Sequence, residues 1–268
     1  MTTKPKLLLT AAALIVVGLF GAAATFNKDK STTITKEKTL DESFASVQIK
    51  ADDATIRLLP TKEKQAKIEL TSSKRKLNNT KLKVQTDNSM VKITTKPTLR
   101  PFINFNVFDK GLHLTLYLPE KQYNKISAFS DNGKVIVKDL KAKDFSIGSN
   151  NGKVQLTRLK ATNIATKVDN GKIELTNNHG KIKAISDNGK IELTAPTLEH
   201  DTNLETDNGS IHVQLKTKPT KLSIEAEVDN GSIHVFNKKY SSHVTNIIQN
   251  GPLLQLKTDN GSIRVEEK

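Results

Sequence analysis

Five lysines, Lys134, Lys153, Lys172, Lys181 and Lys190, each stand directly after a glycine. Ammonium groups repeated at one structural position attract phosphate and carboxylate, which makes these residues candidates for binding an anionic polymer. The competing reading is a solvated edge whose charges maintain solubility and block strand pairing. Further along, Ser210, Ser232 and Ser262 take the lysine position and Pro252 occupies it in an atypical turn, so an anionic-polymer site would be confined to the central part of the chain. His212 and His234 share the third position after glycine, with Arg264 there in the last copy. A protonation-dependent contact is conceivable for such histidines, although ordinary solvent-facing alternation explains them equally.

The carboxylates are less informative. Asp131, Asp169, Asp187, Asp207, Asp229 and Asp259 recur with the glycines but lack the closely packed oxygen ligands of a calcium loop. Stacked carboxylates also repel one another, and Asx turns account for them without metal. No nucleophile elbow, phosphate loop or His-Glu zinc pair is present. A carboxylate-pair hydrolase needs its acids to meet only in space, but sugar-stacking platforms are scarce, with no tryptophan and three tyrosines. The expectation is a protein that is not an enzyme, with no cofactor and no metal centre.

The elements that carry these residues follow from one phrase. Asn-Gly pairs at Asn132-Gly133, Asn151-Gly152, Asn170-Gly171, Asn188-Gly189, Asn208-Gly209, Asn230-Gly231 and Asn260-Gly261 recur roughly every 20 residues. Another occurs at Asn250-Gly251, and His179-Gly180 marks a half-repeat turn. After each regular turn come paired apolar residues at period two: Val135/Val137, Val154/Leu156, Ile173/Leu175, Ile191/Leu193, Ile211/Val213, Ile233/Val235 and Ile263/Val265. Period two places each pair on one face of a strand. Before most turns stand Ile126/Ala128, Phe145/Ile147, Ile164/Thr166, Ile182/Ala184, Ile224/Ala226 and Leu254/Leu256. Each unit is too small to bury its own apolar face, so units must stack.

Two topologies satisfy this pattern. In a β-helix, or β-solenoid, each coil lays its strands parallel on the last; in a meander, each Asn-Gly closes an antiparallel hairpin through a primed turn. The joint recurrence of two strands at near-constant length favours the β-helix. The fold class expected is therefore all-β, a solenoid of roughly 20-residue coils preceded by an N-terminal transmembrane helix.

Upstream, Phe44, Val47, Ile49, Ile56, Leu58, Ile68 and Leu70 read as short strands broken by Asp52-Asp53 and Pro60, and no helix is expected in the body. Asp87-Asn88-Ser89 is either a degenerate early repeat or a single hairpin. Pro97 to Phe108, with its proline and phenylalanines, interrupts the pattern as an insertion that would cover a solenoid end. Leu112, Leu114, Leu116 and Leu118 then form one strand face.

Leu7 to Phe26 is uncharged and mostly apolar, long enough to cross a bilayer, with Lys4 and Lys6 before it. The preceding cations favour a cytoplasmic amino terminus and an external body. A cleaved signal ending near Ala22-Ala23-Ala24 is the alternative, and it also exports the body. The organisation expected is residues 1–26 as head and anchor, 27–42 as linker, 43–125 as an N-terminal β region and possible cap, and 126–268 as the regular repeat. The chain lacks cysteine, which excludes disulfides, and carries a formal charge of +14 with arginine only at positions 57, 75, 100, 158 and 264. A lysine-dominated charge favours a diffuse anionic partner over sequence-specific nucleic acid, which prefers the guanidinium fork.

The strand pattern from Phe44 to Leu70, followed by the repeated Asp/Asn-Asn-Gly-Lys/Ser-Val/Ile-x-Val/Leu phrase through Val265, resembles a family of bacterial β-strand-repeat proteins described as candidate adhesins. These include the membrane-anchored LiaG-like envelope-stress proteins of Gram-positive bacteria. Ser89 and Pro252 depart from the phrase. The resemblance implies a single-pass, membrane-anchored β-helical domain facing the cell wall, with a role in binding or scaffolding under envelope stress. It transfers no catalytic residue. With the lysine excess, it makes teichoic acid or another envelope polyanion a candidate partner, and a neighbouring membrane protein the alternative.

Overall fold

The computed structural model describes residues 33–40, 43–87, 89–98, 111–248 and 251–268. Leu7 to Phe26 and most of the Pro97 to Phe108 interruption lie outside the described residues, among which no helix is long and apolar enough to cross a membrane.

The repeat tract forms long strands: β8 (Gln122–Lys138), β9 (Lys141–Thr157), β10 (Lys160–Thr176), β11 (His179–Ala195), β12 (Thr202–Leu215), β13 (Leu222–Val235) and β16 (Leu253–Glu267). Neighbours in the stack pair in parallel with like on like, Gly133 beside Gly152 and Val135 beside Val154, then Gly152 beside Gly171. Parallel pairing overturns the hairpin alternative for this tract. Upstream, β2 (Ser46–Ala51) and β3 (Ala54–Thr61) are separate strands joined through Asp52-Asp53, yet they pair with the first and second halves of β8. Each Asn-Gly is therefore a corner between two arms of one coil, and the apolar pairs of both arms face inward. Those pairs are buried, from Ile126 and Val135 at 0% exposure to Ile182 at 6%.

The remaining strands close the two ends. β6 (Met90–Pro97) lies parallel to β2, and β7 (Leu112–Pro119) parallel to β3. Outside them run the antiparallel strands β5 (Thr80–Asp87) on β6, β4 (Ala66–Ser73) on β7 and β1 (Thr33–Leu40) on β4. Asp87 pairs directly with Met90, so the early Asp-Asn-Ser turn closes a single hairpin, with Ser89 at φ 64°. One helical turn absent from the sequence expectation, α1 (Lys74–Asn78), links β4 to β5. It is started by the Ser73 hydroxyl, which accepts from Lys76 N–H at 3.4 Å, and is held by buried Leu77. At the other end β14 (Lys238–Tyr240) and β15 (His243–Ile248) cover the two arms of β13 in antiparallel fashion. Antiparallel caps interrupt a stack that would otherwise template further parallel coils.

Within the repeat tract, chain order and stacking order part company once. β13 does not lie on β12; β16 enters between them, parallel to both. Gly251 is accordingly no repeat corner. It opens the entry to β16 against the backbone of Lys221 and Leu222.

At the corners, glycine is demanded by the layer beneath. A Cβ on Gly171 would stand 1.8 Å from the Gly152 carbonyl oxygen, at a φ of +146° that side-chain-bearing residues avoid. Gly171→Ala is expected to lower the unfolding free energy by about 3 kcal/mol or more. The exposed Lys183→Ala should stay within about 0.5 kcal/mol. Urea titration of both variants checks the pair.

Candidate functional site

The corner is built from three files of side chains and backbone. Asn151 Nδ2 donates to Asn132 Oδ1 at 3.0 Å, and the pattern continues without a gap through Asn170, Asn188, Asn208, Asn260 and Asn230 at 3.0–3.1 Å. At its foot Asn132 donates to the Asp53 carboxylate at 2.7 Å. A carboxylate accepts without needing to donate, so it is a natural terminus for a one-directional amide ladder. Beneath the asparagines, buried hydroxyls cap the carbonyls of the layer below: Ser130 donates to Ala54 O at 2.9 Å and Ser149 to Gly133 O at 3.2 Å. The turn aspartates are tied in as well, Asp131 accepting from Asn150 at 3.1 Å and Asp187 pairing with Lys167 at 3.2 Å.

One residue past glycine, Lys134, Lys153, Lys172 and Lys190 do stack side by side on the outer face of the second arm. Lys181 does not join them. It lies on the first arm beside Asn163, paired with Asp201 at 3.4 Å, because His179-Gly180 is the start of a strand rather than an Asn-Gly corner. Three of the four stacked lysines are also matched by carboxylates that the sequence reading passed over. Glu174 accepts from Lys153 at 2.6 Å and Lys172 at 2.8 Å, and Glu192 from Lys172 at 2.8 Å and Lys190 at 2.7 Å. Gln155 donates to Glu174 at 2.8 Å. The signal was present in the alternation, since Lys172 and Glu174 are two apart and share a face. Lys134 is exposed and makes no ion pair among the described residues. Further along the stack Ser210, Ser262 and Ser232 continue the lysine file, while Arg264 separates His212 from His234. His212 pairs with Glu266 at 2.7 Å.

These contacts tune the groups. Burial alone would raise the Glu174 and Glu192 carboxyls, but hydrogen bonds from their flanking lysines outweigh it and hold both below the usual glutamate range. The Lys172 ammonium is raised, first by Glu174 and then by Glu192. Ammonium and carboxylate groups locked in this way stiffen a face. They offer little free charge for proton transfer.

At the opposite corner, Asp139 and Arg158 sit at φ 56° and 52° and form a two-pronged pair at 2.6 and 2.7 Å. The Arg158 hydrogen bonds hold the Asp139 carboxyl below its ordinary value. Asn178 spans the next such corner, accepting from Leu159 N–H and donating to Leu156 O, both at 3.0 Å. Among the described residues, the group with metal-ligand spacing is His179, Glu199 and His200.

Removing one rung tests the ladder. Asn170→Ala leaves an Asn151 acceptor and an Asn188 donor without their partners and should cost about 1–2 kcal/mol by chemical denaturation. The lysine and glutamate network predicts a pH signature. Because both carboxyls titrate lower when folded, their stabilisation is present above the ordinary glutamate range and is lost as pH falls through the depressed folded values. Wild type should exceed E174Q/E192Q by about 1 kcal/mol at pH 7. That gap should close towards about pH 3 in paired melts.

Comparison with known proteins adds the lineage. A search of curated proteins returned no match. Among solved structures, a candidate cell adhesion protein of Clostridium sporogenes shares 13% identity at a TM-score of 0.41, covering 87% of this chain and 100% of that one. A candidate adhesin of Bacteroides fragilis shares 14% at 0.48, covering 89% and 98%. A candidate lipid binding protein of Parabacteroides distasonis shares 13% at 0.46, covering 86% and 96%. Two overlapping stretches, residues 44–167 and 130–266, match the domain family described as Toastrack DUF4097 and together span nearly the whole stack. The chain belongs to the Toastrack DUF4097 family.

Proposed function

We propose that the protein is a membrane-anchored, extracytoplasmic β-repeat module that binds or scaffolds at the bacterial cell envelope and takes part in the envelope-stress response. In this reading Leu7 to Phe26 holds it in the membrane, or is cleaved to leave a secreted form, and within the 27–42 stretch only the residues before Thr33 space the β body from the bilayer, because Thr33–Leu40 is docked on β4 as β1. The observation that carries the reading is the capped parallel stack with a lysine file along one face, in a chain of net charge +14. Such a surface repeats at about 4.8 Å per layer, a spacing suited to an extended polymer. The partner favoured by charge is teichoic acid or another envelope polyanion.

The pairing of Lys153, Lys172 and Lys190 with Glu174 and Glu192 supports a second reading, in which a near-neutral face docks a neighbouring membrane protein. One experiment separates them. Purified protein is titrated with wall teichoic acid across a salt series. Polymer binding predicts saturable affinity that falls with salt and is abolished in the folded K134Q/K153Q/K172Q/K190Q variant. Releasing the lysines in E174Q/E192Q should tighten it roughly fivefold to tenfold. No binding at low salt, together with co-purification of a membrane protein that depends on Leu7 to Phe26, would establish the second reading instead.

A further inference from the structure

The corner opposite the asparagine ladder first breaks its own rule after β11. Asp139-Leu140, Arg158-Leu159 and Asn177-Asn178 make the connections from β8 to β11, but Pro196 to Asp201 joins β11 to β12. The longer link carries Glu199 and His200 over His179, the first residue of β11. The Nε2 atoms of His179 and His200 stand 3.1 Å apart, and His179 Nδ1 lies 3.2 Å from a Glu199 carboxylate oxygen. The two rings meet edge to face at 81°, and one ligand atom from each residue lies within 4.8 Å of the others.

We propose that His179, His200 and Glu199 form a surface site for a divalent transition-metal ion of the zinc class. Two imidazole nitrogens at about 2.0–2.1 Å from one tetrahedral ion stand about 3.3 Å from each other, close to the separation already present. A single shared proton would also bring the nitrogens together, but it needs no carboxylate behind the ring. With its proton on Nδ1, His179 donates to the Glu199 carboxylate and leaves its Nε2 lone pair facing His200, the outer-sphere arrangement that fixes a metal-binding tautomer. A small rotation would instead make its carboxylate a third ligand. Imidazole donors select zinc, copper or nickel over the oxygen-seeking magnesium and calcium.

The frame around the site is already ordered. His179 N–H donates to Leu159 O at 2.8 Å, and Ile182 N–H to Asp201 O at 3.0 Å. The Asp201 carboxylate accepts from Leu253 N–H at 3.2 Å and pairs with Lys181 at 3.4 Å. Binding an ion therefore orders little new backbone, and the ion would tie β11 to the link that precedes β12.

Both His179 and Glu199 are more than half exposed, at 53% and 62%, so substitutions there leave the core intact. The purified full chain, stripped with chelator, is titrated with zinc chloride by calorimetry and with cobalt(II) by visible absorption. One ion per chain with a Kd of roughly 1 µM or below is expected. H179A and H200A should each weaken it at least tenfold and remove the cobalt bands. E199Q should weaken it roughly 10-fold to 100-fold, and H243A should leave it unchanged. No binding, or binding that survives the H179A/H200A double variant, would overturn the site.

Discussion

From Gly133 to Gly231 along the stack, the carbonyl oxygen of each corner glycine presses on the glycine one layer above, and the rest of the stack depends on that contact. A methyl group on the upper residue would come within 1.6–1.9 Å of the lower oxygen from Gly152 onward. Only one alignment of coils therefore brings glycine over glycine. That alignment sets the remaining files, with asparagine over asparagine, hydroxyl over carbonyl and aliphatic over aliphatic. Parallel strands tolerate slippage where both faces look alike. Here the corner removes that freedom, and a length difference between coils is taken up elsewhere, as where Gly180 absorbs a register shift between β10 and β11.

The same alignment would place like charges together, since identical repeats stack identical side chains. Lys134, Lys153, Lys172 and Lys190 are that case, and like charges directly opposite are destabilising. The chain resolves it by varying the position two residues on: Ile136 and Gln155 in the first two of these coils, Glu174 and Glu192 in the third and fourth. After that the file changes to serine and the neighbouring position to histidine and arginine. Exact repetition serves the interior, and deliberate variation serves the outer face.

How much could be read in advance tracks how local each feature is. The corners, the period and the inward pairs from Val135 to Val265 are written in adjacent residues, so the solenoid was legible. The asparagine positions were legible too, though the amide ladder itself emerges only when layers meet. Lys181 misled because Gly180 looks locally like a corner glycine. Insertion of β16 between β12 and β13 could not be read, because both candidate partners present the same Asn-Gly-Ser-Ile phrase and pair with β16 equally well. His179 and His200 are 21 residues apart and meet only because the β11 to β12 link is lengthened. Glu174 and Glu192, by contrast, needed only period two applied to charge.

The placement of β16 makes completion of the stack a matter of timing. During synthesis β12 and β13 both exist before the strand that belongs between them, each holding an open parallel edge. Without β16 in place the stack is split at one layer. Open edges of that kind are what proteases and aggregation find first. Seating β16 thus closes both edges at once and joins the two parts of the stack through a strand distant from each in sequence.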